Sequence, residues 1–166
     1  MSESQLLTEL ALRKGVQAQM DDIVRAATKA ALLLQDSKME KNQIRNVLNV
    51  AEESGSVAVV TNFIRYQIGR SRTGEAWQHK GFGLYVITDL EGQNGAVPHA
   101  AGKAVQVAKS ELDRRKQAVP DDLEAEARQE LMRYYLGYLN RAFSFANNEP
   151  KGVDVWGELR KAVECG

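Results

Sequence analysis

The chain has 166 residues, of which 43% are hydrophobic and 27% charged, and this size and composition suit one domain spanning residues 1–166. Its 22 basic residues balance its 22 acidic ones, which excludes a polyelectrolyte drawn to nucleic acid by net charge alone. The single cysteine, Cys165, excludes an intrachain disulfide scaffold. With no run of about 18 apolar residues and no signal peptide, the sequence predicts a cytoplasmic protein that does not contact a membrane.

The spacing of the apolar residues predicts an all-α fold, a compact bundle of about five to seven helices. Only three prolines interrupt the chain, and apolar residues recur every three or four positions. The segment from Leu6 to Leu34 is typical of a short helix followed by a longer one, with Gly15 as the break. Ser37 and Glu40 then match a capping box at the start of the next helix.

Two helices follow in the most basic part of the chain. Gly55, between two serines, is expected to end the first and to leave Ser56 as the cap of the second. Seven lysine and arginine residues against four glutamates lie within residues 38–80, a local excess of three positive charges. Any nucleic-acid surface is therefore expected here first.

The second half of the chain contains further helices and two irregular segments. A helix from Trp77 to Leu90 is weakened by glycines, and residues 91–100 are predicted to form a loop. The clearest helix begins at Pro120, with acidic residues in its first turns. Residues 148–166 are predicted to be a C-terminal tail that is flexible or docks on a partner.

The aromatic residues of that long helix have two interpretations. Those from Tyr134 to Phe145 are able to stack on the bases of a single strand. At helical spacing beside Leu131 and Leu139, aromatic residues more often belong to the core.

The residue types that catalysis requires are scarce. His79, His99 and Cys165 supply neither four zinc ligands nor a well-placed Cys-His pair, and no phosphate-binding glycine-rich loop occurs. Acidic pairs such as Asp21-Asp22 are explained as residues at helix starts. The sequence therefore predicts a protein that is not an enzyme and has no metal or cofactor.

Regularly spaced cations instead favour binding to a phosphate backbone. Lys41 and Arg45 are four residues apart and project from one side of a helix. Each cation alone is more often a solvated residue or a salt-bridge partner, but their clustering favours a shared role. The candidate nucleic-acid-binding residues from this reasoning are Lys41, Arg45, Arg65, Arg70 and Arg72.

The sequence Gln43-Ile44-Arg45 at a helix start, followed one helix later by Gly69-Arg70, resembles the small helical subunit of type III CRISPR effector complexes. Asn42 stands where serine is usual in that family, and Ile68 where alanine is usual. The aromatic and basic segment that ends near Arg141 is similar to the family's C-terminal helix. The resemblance covers roughly residues 16–147.

The resemblance implies a non-catalytic subunit of a ribonucleoprotein filament that lines the groove holding guide RNA and target RNA. Its partners would be those two RNA backbones, other subunits of the effector complex and copies of itself along the filament. Its cations would contact phosphates without reading sequence. The residues carried over are Lys41, Arg45, Arg65, Arg70 and Arg141.

Two other interpretations remain open. A helical oligomeric scaffold or adaptor would use the aromatic helix as a protein interface and bind no nucleic acid. A helix-turn-helix regulator would use residues 38–70, but Val57, Val60 and Phe63 stand where base-reading side chains should be exposed. The regulator ranks last.

Overall fold

The computed structural model describes residues 1–165, which fold into helices joined by short connections and contain no strand. The predicted all-α class is confirmed. The α-helices are α1 Glu3–Gln17, α2 Met20–Leu32, α3 Lys41–Ser54, α4 Val57–Arg70, α5 Phe82–Glu91, α6 Ala96–Arg114, α7 Leu123–Asn148 and α8 Val155–Glu164, and a 3-10 helix, Ala76–Gly81, precedes α5.

The long helix α7 lies at the centre of the bundle. It packs against α1, α2, α3, α4, α6 and α8. Its buried residues recur every three or four positions, as in Leu131, Tyr135, Leu139 and Phe143, so one continuous side of the helix enters the core. The core extends from α1 to α7, and a smaller apolar cluster joins α8 to the end of α7.

Gly15 does not break the first segment, contrary to the prediction. It is buried inside α1, and the helix ends at Gln17, before the turn at residues 18–19. A Cβ atom at Gly15 would lie 2.2 Å from the carbonyl oxygen of Ala104 in α6. Glycine is therefore present because the backbones of α1 and α6 approach closely, not because the chain turns there.

The helix caps agree with the sequence at one junction and differ at another. Gly55 ends α3 in the left-handed conformation, and the Ser56 hydroxyl accepts a hydrogen bond from the Val59 N–H, as predicted. The predicted capping box of Ser37 with Glu40 is wrong. Glu40 is itself the N-cap of α3 and its N–H donates to the Gln43 side chain over 2.9 Å, so the box lies three residues later.

The two irregular segments are more ordered than the sequence suggests. Residues 96–100, predicted as loop, form the first turns of α6, and the connection from α5 is limited to residues 92–95. The reason is burial, because Val97 and Ala100 face the core. Helix α7 begins at Leu123 rather than Pro120. Within the tail, α8 packs on α2 of the same chain.

The carboxylate of Glu111 connects α6 to α1 and also to the C-terminal end of α6. Glu111, whose side chain is 15% exposed, lies 2.6 Å from Arg114, 3.2 Å from Lys14 of α1 and 3.3 Å from Arg115. Hydrogen bonds from Arg114 and Lys14 lower the pKa of Glu111 to about 2. The ionised carboxylate therefore favours the folded state.

Substitution of Gly15 tests the close contact between α1 and α6. Gly15→Ala should lower the free energy of unfolding by about 1–3 kcal/mol, because the new methyl group overpacks against Ala104. Gly102→Ala is the matched control, since Gly102 is also inside a helix but has nothing within 4 Å of its Cβ position. That control should raise stability by roughly 0.5–1 kcal/mol. Urea unfolding measures both, and stabilisation by both variants would contradict the contact.

The network around Glu111 should make stability depend on pH. Because the pKa is lowered from 4.5 to about 2, its contribution is present above pH 4.5 and is lost as the pH falls toward 2. Glu111→Gln should therefore be less stable than wild type at pH 7, with the difference shrinking between pH 4.5 and 3. Chemical denaturation at several pH values measures this. Glu164→Gln is the control, and an equal, pH-dependent loss there would contradict the assignment.

Candidate nucleic-acid interface

Helices α3 and α7 pack side by side and run in opposite directions. At the start of α3, the Lys41 ammonium donates to the Asn148 side chain at the end of α7. Near the end of α3, the Arg133 Nε donates to the Ala51 carbonyl oxygen over 3.3 Å. These two contacts fix the alignment, so that later residues of α3 lie opposite earlier residues of α7.

A groove of about 790 Å³ follows this helix pair and is closed on one side by α1. We call it the α3–α7 groove. It is lined by Arg13, Val16 and Gln17 of α1, by Leu48 and Glu52 of α3, and by Glu130, Arg133, Tyr134, Gly137, Tyr138, Asn140 and Arg141 of α7.

Of the predicted residues, Arg141 lines this groove, and Lys41 and Arg45 lie beyond its α3 lining, at the start of that helix. Lys41 and Arg45 are on the same side of α3 as Leu48 and Glu52, since positions 41, 45, 48 and 52 follow one another at helical spacing. Arg141 comes from α7. Because the helices are antiparallel, Arg45 and Arg141 lie toward the same end of the groove.

The other three predicted residues, Arg65, Arg70 and Arg72, do not lie at the groove. Arg65 forms an ion pair with Glu91 at the end of α5, and Arg70 lies 5.6 Å above the Tyr66 ring. Arg72 is exposed in the turn after α4. Since α4 packs against both α3 and α5, and Arg65 points to the α5 side, the residues from 41 to 72 do not form one continuous basic face.

Two arginines of the groove were missed by sequence reasoning. Arg13 belongs to α1, and only tertiary packing brings it to the groove. In the sequence, Arg133 differs from an ordinary surface arginine only in lying eight residues before Arg141. That spacing places both on one side of α7, a signal that was present but not distinctive.

The charges of the groove are mixed along its length. Glu52 and Glu130 lie among Arg13 and Arg133, so that end is close to neutral. The end beside Lys41, Arg45 and Arg141 carries the cationic excess. Glu40 and Glu149 flank it in the sequence, which confines the positive charge to a strip and leaves the rest of the surface mixed.

The tyrosines of α7 divide between the core and the groove. Tyr135 is fully buried, and its hydroxyl donates to Asp89 over 2.5 Å. Tyr134 and Tyr138 face the groove and stack, with ring centroids 6.1 Å apart and planes inclined by 22°. The guanidinium of Arg141 lies 5.8 Å from the Tyr138 centroid, within the range of a cation–π contact.

The half-buried Asp89 and the buried Tyr135 form a pair on the core side of α7. Burial raises the pKa of Asp89, while hydrogen bonds from the Tyr135 hydroxyl and the Ala96 N–H lower it. The carboxylate is therefore held by donors from two other helices. The buried residues that recur along α7 set its rotation, and they leave Tyr134 on the groove side.

The remaining chemistry of the described residues is limited. Within residues 1–165, no group of three or more histidine, cysteine or acidic side chains is arranged to hold a metal ion. Among the same residues, every helix is too short or too polar to cross a bilayer. Comparisons with protein-family models, curated proteins and solved structures give no match to this chain.

Neighbouring tyrosines provide a test of this division. Tyr135→Phe should lower the free energy of unfolding by about 0.5–1.5 kcal/mol, because the half-buried Asp89 side chain loses a donor. Tyr134→Phe removes a hydroxyl from the exposed neighbour and should change stability by less than about 0.5 kcal/mol. Urea unfolding measures both. Equal effects would show that Tyr135 does not carry a special buried contact.

Proposed function

We propose that this protein is a non-catalytic helical subunit of a ribonucleoprotein that binds a nucleic-acid backbone without reading its sequence. The observation that supports this most directly is the antiparallel packing of α3 and α7, which brings Lys41 and Arg45 toward the end of the groove that Arg141 lines. Arg13 and Arg133 line the other part of the groove, where Glu52 and Glu130 balance their charge. The sequence resemblance indicates the assembly, a type III CRISPR effector complex, and the ligands, guide RNA and target RNA.

The character of the cations favours contact with phosphates. Arg45 and Arg141 are exposed, and no ion pair of either is present within residues 1–165. Long, solvated side chains adapt to a backbone and gain affinity from counterion release. Lys41 and Glu52 are eleven residues apart, so α3 presents about 16 Å of helix to the ligand, enough for several nucleotides.

The neutral total charge fits a subunit of an assembly. A strip of cations allows binding to a polyanion, while the mixed remainder of the surface packs on protein neighbours without strong repulsion. The groove itself supplies guanidinium, carboxylate and phenol groups, which are groups suited to binding.

A second candidate is a helical scaffold or adaptor that binds no nucleic acid. The observation in its favour is a set of large apolar side chains exposed outside the groove: Val59 and Tyr66 on α4, and Leu84 on α5, with Tyr66 59% and Leu84 62% exposed. Exposed apolar patches often mark protein interfaces. Such contacts are also compatible with a subunit of a ribonucleoprotein.

Removal of two cations beside the groove tests backbone binding. The double variant Lys41→Ala with Arg45→Ala should bind unrelated single-stranded RNA sequences more weakly by a similar factor. The slope of log affinity against log salt should fall by about 0.7 for each phosphate that the variant no longer neutralises. Fluorescence anisotropy at several salt concentrations measures both quantities.

The matched control removes the same charge elsewhere. Arg128 pairs with Glu124 over 2.9 Å, and Lys161 pairs with Glu158 over 3.5 Å, both away from the groove lining. Arg128→Ala with Lys161→Ala should leave RNA affinity nearly unchanged. Equal losses in the two double variants would point to a general charge effect, and a loss confined to one RNA sequence would contradict backbone recognition.

The assembly is tested by purifying tagged wild-type protein and the Lys41→Ala, Arg45→Ala variant from the native host. Mass spectrometry and sequencing of bound nucleic acid then identify what accompanies each. Repeat-derived guide RNA together with larger filament-forming subunits would support the proposal. Stable protein complexes that contain no RNA would favour the scaffold.

A further inference from the structure

We propose that the α3–α7 groove accepts an unpaired base, which stacks on Tyr134, and that the preferred ligand is therefore a single strand and not a duplex. This inference rests on the proposed function, because it assigns the kind of nucleic acid that the groove binds. It concerns a different part of the groove from the cations at the Lys41 end.

The first argument is the order of the aromatic groups along α7. Positions 134, 138 and 141 follow one another on one side of the helix, so Tyr138 lies between Tyr134 and the Arg141 guanidinium. Tyr138 contacts both neighbours, the first by ring stacking and the second by a cation–π contact. Tyr134 is the last member of this stack, and it is 45% exposed.

The exposed part of the Tyr134 ring offers a planar apolar surface on which a base can stack. Its neighbour Tyr138 is already fixed, since the Tyr138 hydroxyl lies 3.5 Å from the Met20 sulfur. The platform is therefore formed before a ligand arrives. A base that stacks on Tyr134 would extend a row of planar groups that is already in place.

The second argument is the open space beside the tyrosines. Gly137 lines the groove between Tyr134 and Tyr138, and nothing lies within 4 Å of the Cβ position of Gly137. The absence of a side chain there leaves a recess on the groove side of α7. A planar base needs such a recess in order to enter the groove, whereas contact between phosphates and surface cations does not need one.

The third argument is the placement of charge. Glu52 and Glu130 line the part of the groove near Tyr134 together with Arg13 and Arg133, so this part has no cationic excess to attract a phosphate, and its carboxylates can accept hydrogen bonds from the amino groups of a base. The cations Lys41 and Arg45 lie toward the other end. We infer that phosphates follow the cationic end while one base turns toward the tyrosines.

A duplex does not satisfy this arrangement, because its bases are paired and stacked on one another, and their faces are not available to a protein ring. A single strand exposes a face on every base. The same groove chemistry, arginines beside aromatic rings, also suits an acidic peptide. That ligand is a separate outcome of the experiment below.

The experiment uses the full chain and a twelve-nucleotide single-stranded RNA with 2-aminopurine at its centre, whose fluorescence is quenched by stacking. Two matched probes are a strand of the same length with abasic residues throughout and the corresponding RNA duplex. Wild-type protein should quench the 2-aminopurine and bind the intact strand more tightly than either matched probe.

Two variants separate stacking from charge. Tyr134→Ala should lower affinity for the intact strand by about 5- to 150-fold and abolish the quenching, with affinity for the abasic strand unchanged. Tyr134→Phe keeps the ring and should bind like wild type. Gly137→Leu, whose Cβ position has no existing atom within 4 Å, should place a side chain in the recess and reproduce the loss. Urea unfolding checks that each variant is folded.

The outcomes distinguish this inference from the proposed function. If wild type binds the strands with the expected salt dependence but Tyr134→Ala binds the intact strand equally well, the stacking site is refuted and backbone binding stands. Equal binding of duplex and single strand also refutes it. If wild type binds none of the RNA probes, both proposals fail. Tighter binding of a polyglutamate peptide than of RNA, abolished in Tyr134→Ala, would assign the groove to a protein ligand.

Discussion

The rotation of α7 about its own axis determines both the core and the groove. Tyr134 and Tyr135 are adjacent in sequence, so their side chains diverge by about 100° around the helix. Tyr135 is buried on the same side of α7 as Leu131, Leu139 and Phe143, so Tyr134 faces the groove. Any change in this buried packing would alter the surface on which the proposed binding depends. The groove is therefore as well defined as the core beneath it.

Helix α1 contributes to the same surface through a backbone contact. The approach of Gly15 to Ala104 positions α1 against α6, and Arg13 lies half a turn earlier on the same helix. The Arg13 side chain reaches the groove because the opposite side of α1 packs against α6. A close backbone contact, buried and without charge, thus supports the position of an exposed charged group.

Periodicity was sufficient to predict the helical class, and the turn chemistry at Gly55 and Ser56 was sufficient to predict one junction, because both depend on local interactions. Gly15 was misjudged because a glycine that permits close packing has the same sequence signal as a glycine that breaks a helix. Arg13 and Arg65 depend on which helices become neighbours. Arg65 is paired with Glu91, 26 residues later, a distance over which sequence spacing carries no directional information.

Helix α7 has 26 residues and packs against most of the other helices, so its central amides have few ways to open locally. Hydrogen exchange there requires rupture of contacts with most of the bundle, and its free energy approaches that of global unfolding. The tyrosines on this helix consequently belong to the slowest-exchanging part of the molecule. A ligand that binds at these tyrosines would meet a surface that is already ordered in the folded protein. Most of the conformational entropy lost on association would then be that of the ligand.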